Sequence, residues 1–473
     1  MAHKILFIAP LPPPVHGSSM VSKYIKESTL IKECFDCDFV NLSTSRSMEE
    51  IGKGGIKKLF RFVAAYFEVL WKLITHRYSL CYLAITCHGM GFLKDAPFVL
   101  LCKLFDRKVV LHQHNKGMSR DVNRWPYRWL MPLVYRNTTV MLLSWHLYED
   151  ISAVVKREQV VVCANGVPPL DNGLLRGETI SHTEEIVNGQ QTTDNSQLST
   201  DGLFNQHDKH TNLDTFTHTQ ACACHPDEGF GLTQNSQNTQ KNIVSQDKQS
   251  TLDENSQNLH DAAPVPSGVG RHREAQFSSS LSSSLEPSVP RLLFLSNLIE
   301  SKGIYVLLEA CRMLKEEGVA FHCDYVGGES KLISGEAFRS AIAERGLTDC
   351  VTYHGPQYGA AKDRFFREAD IFVQPTFDDC FPLTLVEAMQ YRLPIVSTDV
   401  GAIPDIVTDG VNGFVCPQRD VQALAEALRK LIAEPQMRVA MGQRGYELYR
   451  ERMTLEVFEG NFTEILKSLV FRV

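Results

Sequence analysis

The 473-residue chain lacks a glycine-rich GxGxxG fingerprint, a second CxxC pair at zinc spacing, a long uncharged apolar run and any surplus of positive charge. Each absence removes a class of protein. Without GxGxxG there is no dinucleotide-binding turn of the usual kind. A net charge of −7 argues against binding driven by phosphate neutralisation, so no nucleic-acid partner is expected. The N-terminal MAHKILFIAPLPPP runs into prolines with no small-residue cleavage site, so it does not read as a signal peptide. Cys34 and Cys37 form a single CxxC, and Cys222 and Cys224 lie beside His225, but neither cluster has a partner pair, and no metal site is expected. The 13 cysteines are odd in number and lie mostly in apolar runs, as Cys81, Cys102 and Cys311 do, which reads as reduced thiols in the cytoplasm.

What the chain has is an ordinary globular composition, 43% hydrophobic and 22% charged, over a length that suggests more than one domain. KILFIA, LCYLAIT (80–86), KVVLHQH (108–114) and TTVMLLS (138–144) alternate with helical periods, the signature of a parallel sheet, and VVVCANGV (160–167) closes the region with an Asn-Gly turn. A second alternation begins at RLLFLSN (291–297) and continues through FHCDYVG, CVTYHG, DIFVQPT, LPIVSTD and GFVCP. Its helices are expected near 303–317, 359–369, 383–391 and 420–433, followed by two more near 436–450 and 454–470. Between the two regions, Gln, Asn, Ser, Thr and His dominate, a composition that cannot bury enough apolar surface to offset its ordering entropy. The expected organisation is an N-terminal domain over 1–168, a disordered insertion over 169–289 and a C-terminal domain over 290–473. The segment 56–74, IKKLFRFVAAYFEVLWKLI, is too charged to span a bilayer. Either its apolar face packs on a sheet with its charges solvated, or it lies on a membrane surface as a basic helix.

Three strand-to-helix turns carry chemistry. In APLPPPVHGSS, Gly17 would let the backbone approach a ligand at a helix N-terminus. In SNLIESKG, Lys302 stands where it could neutralise a phosphate on the helix dipole. In DDCFPLTLVEAM, Asp379 precedes a helix and Glu387 lies inside it. The plain reading makes Asp379 a cap and Glu387 a solvated charge. Taken with Lys302, the same residues would serve a nucleotide diphosphate sugar: Lys302 and the helix N-terminus on the phosphates, Glu387 on the ribose, Asp379 on the sugar.

These residues carry a resemblance to the retaining glycosyltransferases of family 4, glycosyl transferases group 1. The family's E-x7-E motif stands as Asp379 to Glu387, its opening glycine loop as PPPVHG, the end of its first domain as NGV at 165–167, and its following block as GAIPDIVTDGVNGFV at 401–415. The resemblance implies an α/β chain of GT-B fold, with two facing Rossmann-like domains. It further implies a hexosyltransferase-class enzyme that moves a sugar from a UDP- or GDP-linked donor to an acceptor hydroxyl with retention. By resemblance, Asp379 and His114 belong to the catalytic set, with His112 as the alternative histidine. Gly17, Asn297, Lys302, Phe381, Pro382, Leu383, Thr384 and Glu387 belong to the donor site. No cofactor or metal is implied, and DCD at 36–38 is discounted as a metal motif because it precedes a strand of the acceptor-side domain. The implied acceptor is a saccharide or glycolipid of an envelope or exopolysaccharide pathway, and the chain is expected in the cytoplasm, with peripheral contact at the inner face of the membrane as a further option. Two departures stand out: the first carboxylate is Asp rather than Glu, and Asn297 replaces the family arginine. A non-catalytic sugar-nucleotide scaffold and an epimerase of the same fold are the alternatives.

Overall fold

Strand pairing in the protein is parallel throughout two sheets of six strands, as described by a computed structural model covering residues 3–13, 17–43, 55–170 and 289–471. The first sheet contains β1 (Lys4–Ala9), β2 (Asp36–Asn41), β3 (Leu80–Ile85), β4 (Val109–Gln113), β5 (Thr139–Leu142) and β6 (Val160–Val162), in the order β2-β1-β3-β4-β5-β6. The second contains β7 (Arg291–Leu295), β8 (His322–Val326), β9 (Val351–Tyr353), β10 (Ile371–Val373), β11 (Ile395–Thr398) and β12 (Gly413–Cys416), in the order β12-β11-β10-β7-β8-β9. Parallel strands require crossover helices that cover both faces, which is why β3 reads LCYLAI and is buried at every position. In each sheet the chain reverses its direction of travel beside the first strand, at β1/β3 and at β7/β10. Such reversals open a crevice at the carboxyl ends of the strands.

The period of two along the strands divides the first domain's core. Leu6, Ile8, Leu83 and Ile85 face the helices Ile56–Thr75, Gly89–Leu104 and Tyr127–Tyr135. Ile5, Phe7 and Tyr82 face the opposite layer, built from Gly17–Glu27, Thr29–Cys34 and the last helix, Leu455–Phe471. That last helix was expected to stay with the second domain, yet Phe458 and Phe462 pack against the first sheet, with the Phe462 ring edge-on to Tyr82 at 5.4 Å. Each buried phenylalanine contributes about 1.5–3 kcal/mol. The crossing is fixed at Asn165-Gly166, expected as a simple turn. Val167 N donates to Met453 O at 3.0 Å and Leu455 N to Val167 O at 2.9 Å, while a Cβ on Gly166 would lie 2.2 Å from Thr454 O.

Two further expectations change. DCD does not precede β2 but forms its first three residues, where Lys4 Nζ reaches Asp36 at 3.1 Å and Asp38 at 3.4 Å. These carboxylates are engaged at the end of the strand remote from the crevice. The helix Ile56–Thr75 buries Ala65, Val69 and Leu73 on the sheet, but a second apolar stripe, including Phe60, Phe67 and Trp71, remains exposed. Of the expected insertion, residues 171–288, with Cys222, Cys224 and His225, lie outside the described residues. No described helix is long and apolar enough to cross a membrane.

Candidate active site

The loops after β7 and β10 meet at the second sheet's crevice. Gly303 adopts φ +81°, and a Cβ there would lie 2.0 Å from Pro375 O, so only glycine allows the two loops to touch so closely. That contact brings Lys302, in a short 3-10 turn at Glu300–Lys302, against the second loop. Lys302 Nζ stands 2.6 Å from Asp379 Oδ2 and donates to Asp378 O at 3.1 Å. The other Asp379 oxygen accepts from Cys380 N at 2.8 Å. Asp379 is therefore not the helix cap; Pro382 holds that position, without a side-chain capping bond. The GAIPD segment supports the same loop from below. Ala402 N donates to Cys380 O at 2.8 Å, and Gly401 at φ +60° passes where a Cβ would be 2.4 Å from Asp379 O.

Beyond this loop runs the helix Leu383–Gln390. Its N-terminus faces the crevice with the amides of Phe381, Leu383 and Thr384; Pro382 has no N–H and contributes shape only. Thr384 Oγ1 donates to Gln374 Oε1 at 2.7 Å, and Gln374 Nε2 reaches Asp379 Oδ2 at 3.4 Å, so one amide side chain joins helix start and carboxylate. One turn further, Glu387 Oε1 accepts from Lys362 Nζ at 3.0 Å. Its Oε2 is buried without a hydrogen-bond partner among the described residues. Both lysine–carboxylate pairs line one cavity of about 400 Å³, together with Gly17, Asn297, Phe381, Pro382, Leu383 and Thr384. Asn297 spends its Oδ1 on Gly328 N at 3.1 Å and so shapes the cavity wall. Gly17 comes from the first domain; a Cβ on it would meet Leu383 Cδ1 at an ordinary 3.9 Å.

A second cavity of about 330 Å³ shares Gly17, Asp379 and Phe381 with the first and adds His114, Asn115, Thr86, Lys94 and Asp95 from the first domain. The two candidate histidines separate here. His112 is completely buried, takes a 2.7 Å hydrogen bond with the Tyr82 hydroxyl, and burial, with His114 beside it, holds it well below the usual imidazole range. His114, its ring centroid 4.0 Å from that of His112, lines the cavity. The following loop is anchored by Asp150, which accepts from Gly117 N at 2.8 Å and Met118 N at 3.0 Å. Burial alone would raise the Asp150 pKa, but bonds from Ser119 and these amides hold it below the usual carboxylate range. Lys116 and Arg120 of that loop cross the cleft to Asp378 at 3.5 and 3.4 Å. Burial pushes the Cys380 thiol up to about 12, so it remains a protonated thiol beside the site.

All the expected site residues thus line these two joined cavities. Sequence reasoning missed Lys362, Gln374, Asp95 and Asp378. Asp95 is buried, accepts from Thr86 N at 2.9 Å and has its pKa raised by burial. Its one sequence signal is a charge in the apolar run GFLKDAPFVLL.

Residues 281–448 match the family model described as "Glycosyl transferases group 1". Over 148 residues, 30% of this chain, the sequence is 36% identical to the amylovoran biosynthesis glycosyltransferase AmsK of Erwinia amylovora. Over 156 residues, 32% of this chain, it is 30% identical to the D-inositol 3-phosphate glycosyltransferase of Streptomyces griseus. The matches span about a third of each relative, 35% and 33%. Among solved structures, sucrose-phosphate synthase from Thermosynechococcus elongatus superposes with TM-score 0.59 at 14% identity over 99% of both chains. Anabaena HepE in complex with UDP-glucose superposes with TM-score 0.58 at 14% identity, over 98% of this chain and 99% of HepE. These structural likenesses establish the two-domain GT-B fold.

Proposed function

We propose, on the premise that residues 281–448 belong to the glycosyl transferases group 1 family, that the chain is a retaining glycosyltransferase using a UDP- or GDP-linked sugar. The observation that carries this reading is the joining of the two cavities at Asp379 and Phe381. One side presents Lys302 and a helix N-terminus, suited to a diphosphate, and Glu387, whose buried Oε2 is suited to accept from ribose hydroxyls. The other side presents His114 and the first-domain residues, suited to the sugar and the acceptor. A nucleotide sugar laid across this junction puts its scissile bond near Asp379.

As the bond breaks, negative charge grows on the departing diphosphate. Once the donor has drawn the Lys302 ammonium onto its diphosphate, that ammonium and the amides of Phe381, Leu383 and Thr384 stabilise the charge without further reorganisation. This reading needs no metal, and His114 and Asp379 serve to hold the sugar. The donor class is supported by UDP-glucose bound to HepE, and an acceptor in polysaccharide biosynthesis, a saccharide or glycolipid, is suggested by the biosynthetic role in AmsK's name. The scaffold alternative draws on Asn297, whose amide holds Gly328 and adds no counter-charge. Incubation with UDP- and GDP-sugars plus candidate acceptors, followed by NMR of the product's anomeric proton, tests the reading. Transfer with retained configuration is expected; binding without turnover would favour the scaffold, and inverted configuration would reject the mechanism.

A further inference from the structure

Tryptophan is normally among the better-covered residues of a folded protein, yet all four here stand substantially exposed, with Trp71 at 68%, Trp125 at 80% and Trp129 at 68%. Trp71 and Trp129 lie on helices that both pack against Gly89–Leu104, and Trp125 stands just before the second of these helices. The helix Ile56–Thr75 carries Ile56, Phe60, Phe67, Trp71 and Ile74 along its outer face at helical spacing. Beside it, Gly89–Leu104 packs against both Ile56–Thr75 and Tyr127–Tyr135, through Phe62 edge-on to Phe98 at 5.4 Å and Lys103 Nζ to Leu133 O at 2.8 Å. The three helices form one layer whose outer side adds exposed Leu104, Trp129 and Leu133 to the stripe. An apolar surface of this extent on a water-soluble fold marks an interaction site.

Charge indicates the occupant. The chain is net −7, but residues 56–77 hold Lys57, Lys58, Arg61, Lys72 and Arg77 with Glu68 as the one acid of the segment, Lys72 being paired with Asp38 of the sheet at 3.7 Å. Residues 124–136 hold Arg124, Arg128 and Arg136 with no acid of their own, Arg124 being paired with Asp121 at 3.0 Å. Arg128 lies 5.1 Å from the Trp129 ring, so cation and aromatic surface occur together. Aromatics interleaved with basic side chains suit the interface of an anionic bilayer, where rings enter the headgroup level and ammonium and guanidinium groups meet phosphates. The layer is also continuous with the cleft. Arg61, Phe62, Lys94 and Phe98 line a cavity of about 230 Å³ that shares Leu42 and Lys94 with the His114 cavity.

We propose that this three-helix layer is a docking surface for an anionic lipid bilayer. It turns the cleft's first-domain side toward the membrane, so that an amphiphilic acceptor can enter from the lipid surface. The surface stands on its own observations and rests on the functional reading only for that acceptor.

The test is flotation of the full chain with vesicles of phosphatidylglycerol and phosphatidylethanolamine, against vesicles of phosphatidylcholine, with tryptophan emission recorded in parallel. The wild type is expected to float with the anionic vesicles and shift its emission to the blue. The triple variant Phe60→Ser, Phe67→Ser, Trp71→Ser should lower partitioning at least tenfold, and Lys57→Glu with Arg128→Glu should remove the preference for anionic lipid. UDP and GDP binding in solution, measured on the same variants, should stay unchanged; this shows that they fold and separates failure here from failure of the glycosyltransferase reading. A wild type that stays in the aqueous fraction, or a triple variant that floats like the wild type, would overturn the proposal. So would a wild-type dimer that the triple variant converts to monomer, which would assign the face to a second copy of the chain.

Discussion

Lys302 Nζ and Asp379 Oδ2 stand 2.6 Å apart, each largely sheltered from solvent, at the point where the two cavities join. The lysine belongs to the loop after β7 and the aspartate to the loop after β10, so the pair ties the two sides of the crevice together. In the absence of donor each charge offsets the other. A donor diphosphate would draw the ammonium to itself and release Asp379 for a sugar hydroxyl.

Removing the ammonium should therefore harm catalysis more than folding. Lys302→Ala is expected to lower kcat/KM by about tenfold to a hundredfold, corresponding to the roughly 1.5–3 kcal/mol of a charged hydrogen bond, with Lys302→Arg recovering part of the loss. Steady-state kinetics on a working donor checks this; an Lys302→Ala enzyme at wild-type rate would remove the lysine from the diphosphate site.

Glu387 and Asp379 should divide between nucleotide and sugar. Glu387→Ala is expected to weaken binding of bare UDP or GDP by roughly 1.5–3 kcal/mol, while Asp379→Ala alters discrimination between donor sugars and leaves the bare nucleotide nearly unaffected. Calorimetry with the nucleotide alone decides; equal losses in both variants would contradict the division.

The histidines should behave as their places imply. His114→Ala is expected to cut turnover at least tenfold with little change in nucleotide affinity, as follows when an aligned contact is lost. His112→Ala, which strips a buried ring from Tyr82, should instead destabilise the fold. Unchanged turnover in His114→Ala, or collapse of its Tm, would make that ring structural.

His112 also sets a pH signature. Burial holds its folded-state pKa well below the usual imidazole value, so the unfolded chain binds the extra proton first as pH falls. The contribution is fully present above about pH 6.5 and is lost below it, by up to about 1.4 kcal/mol per pH unit. Urea unfolding at pH 5.5 and 7.5 should show a smaller acid loss in His112→Gln than in the wild type. An identical loss in both proteins would mean that His112 does not carry it.

Much of the site was legible because its parts are local. Asp379, the helix start and Glu387 lie on one loop and one helix, and Lys302 sits on a strand-to-helix turn. Their partners were not legible: Lys362, paired with Glu387 across 25 positions, looks like any polar position of an amphipathic helix. The hydrophobic period identified the last helix but not the sheet it would cover, which depends on the crossing at Gly166 and Thr454. The start of the strand DCDFVN was placed too late because an edge strand with engaged acids lacks the apolar run of its neighbours. In Ile56–Thr75 the apolar content was visible, but the split between a packed and an exposed face appears only when the sheet's limited width is known.

The most direct test of the glycosyltransferase reading is release of nucleoside diphosphate from a panel of UDP- and GDP-sugars by the full chain, with and without added acceptor. At least one donor should be turned over, faster with its acceptor and unaffected by a metal chelator. Failure of every UDP- and GDP-sugar to bind or turn over would contradict the reading.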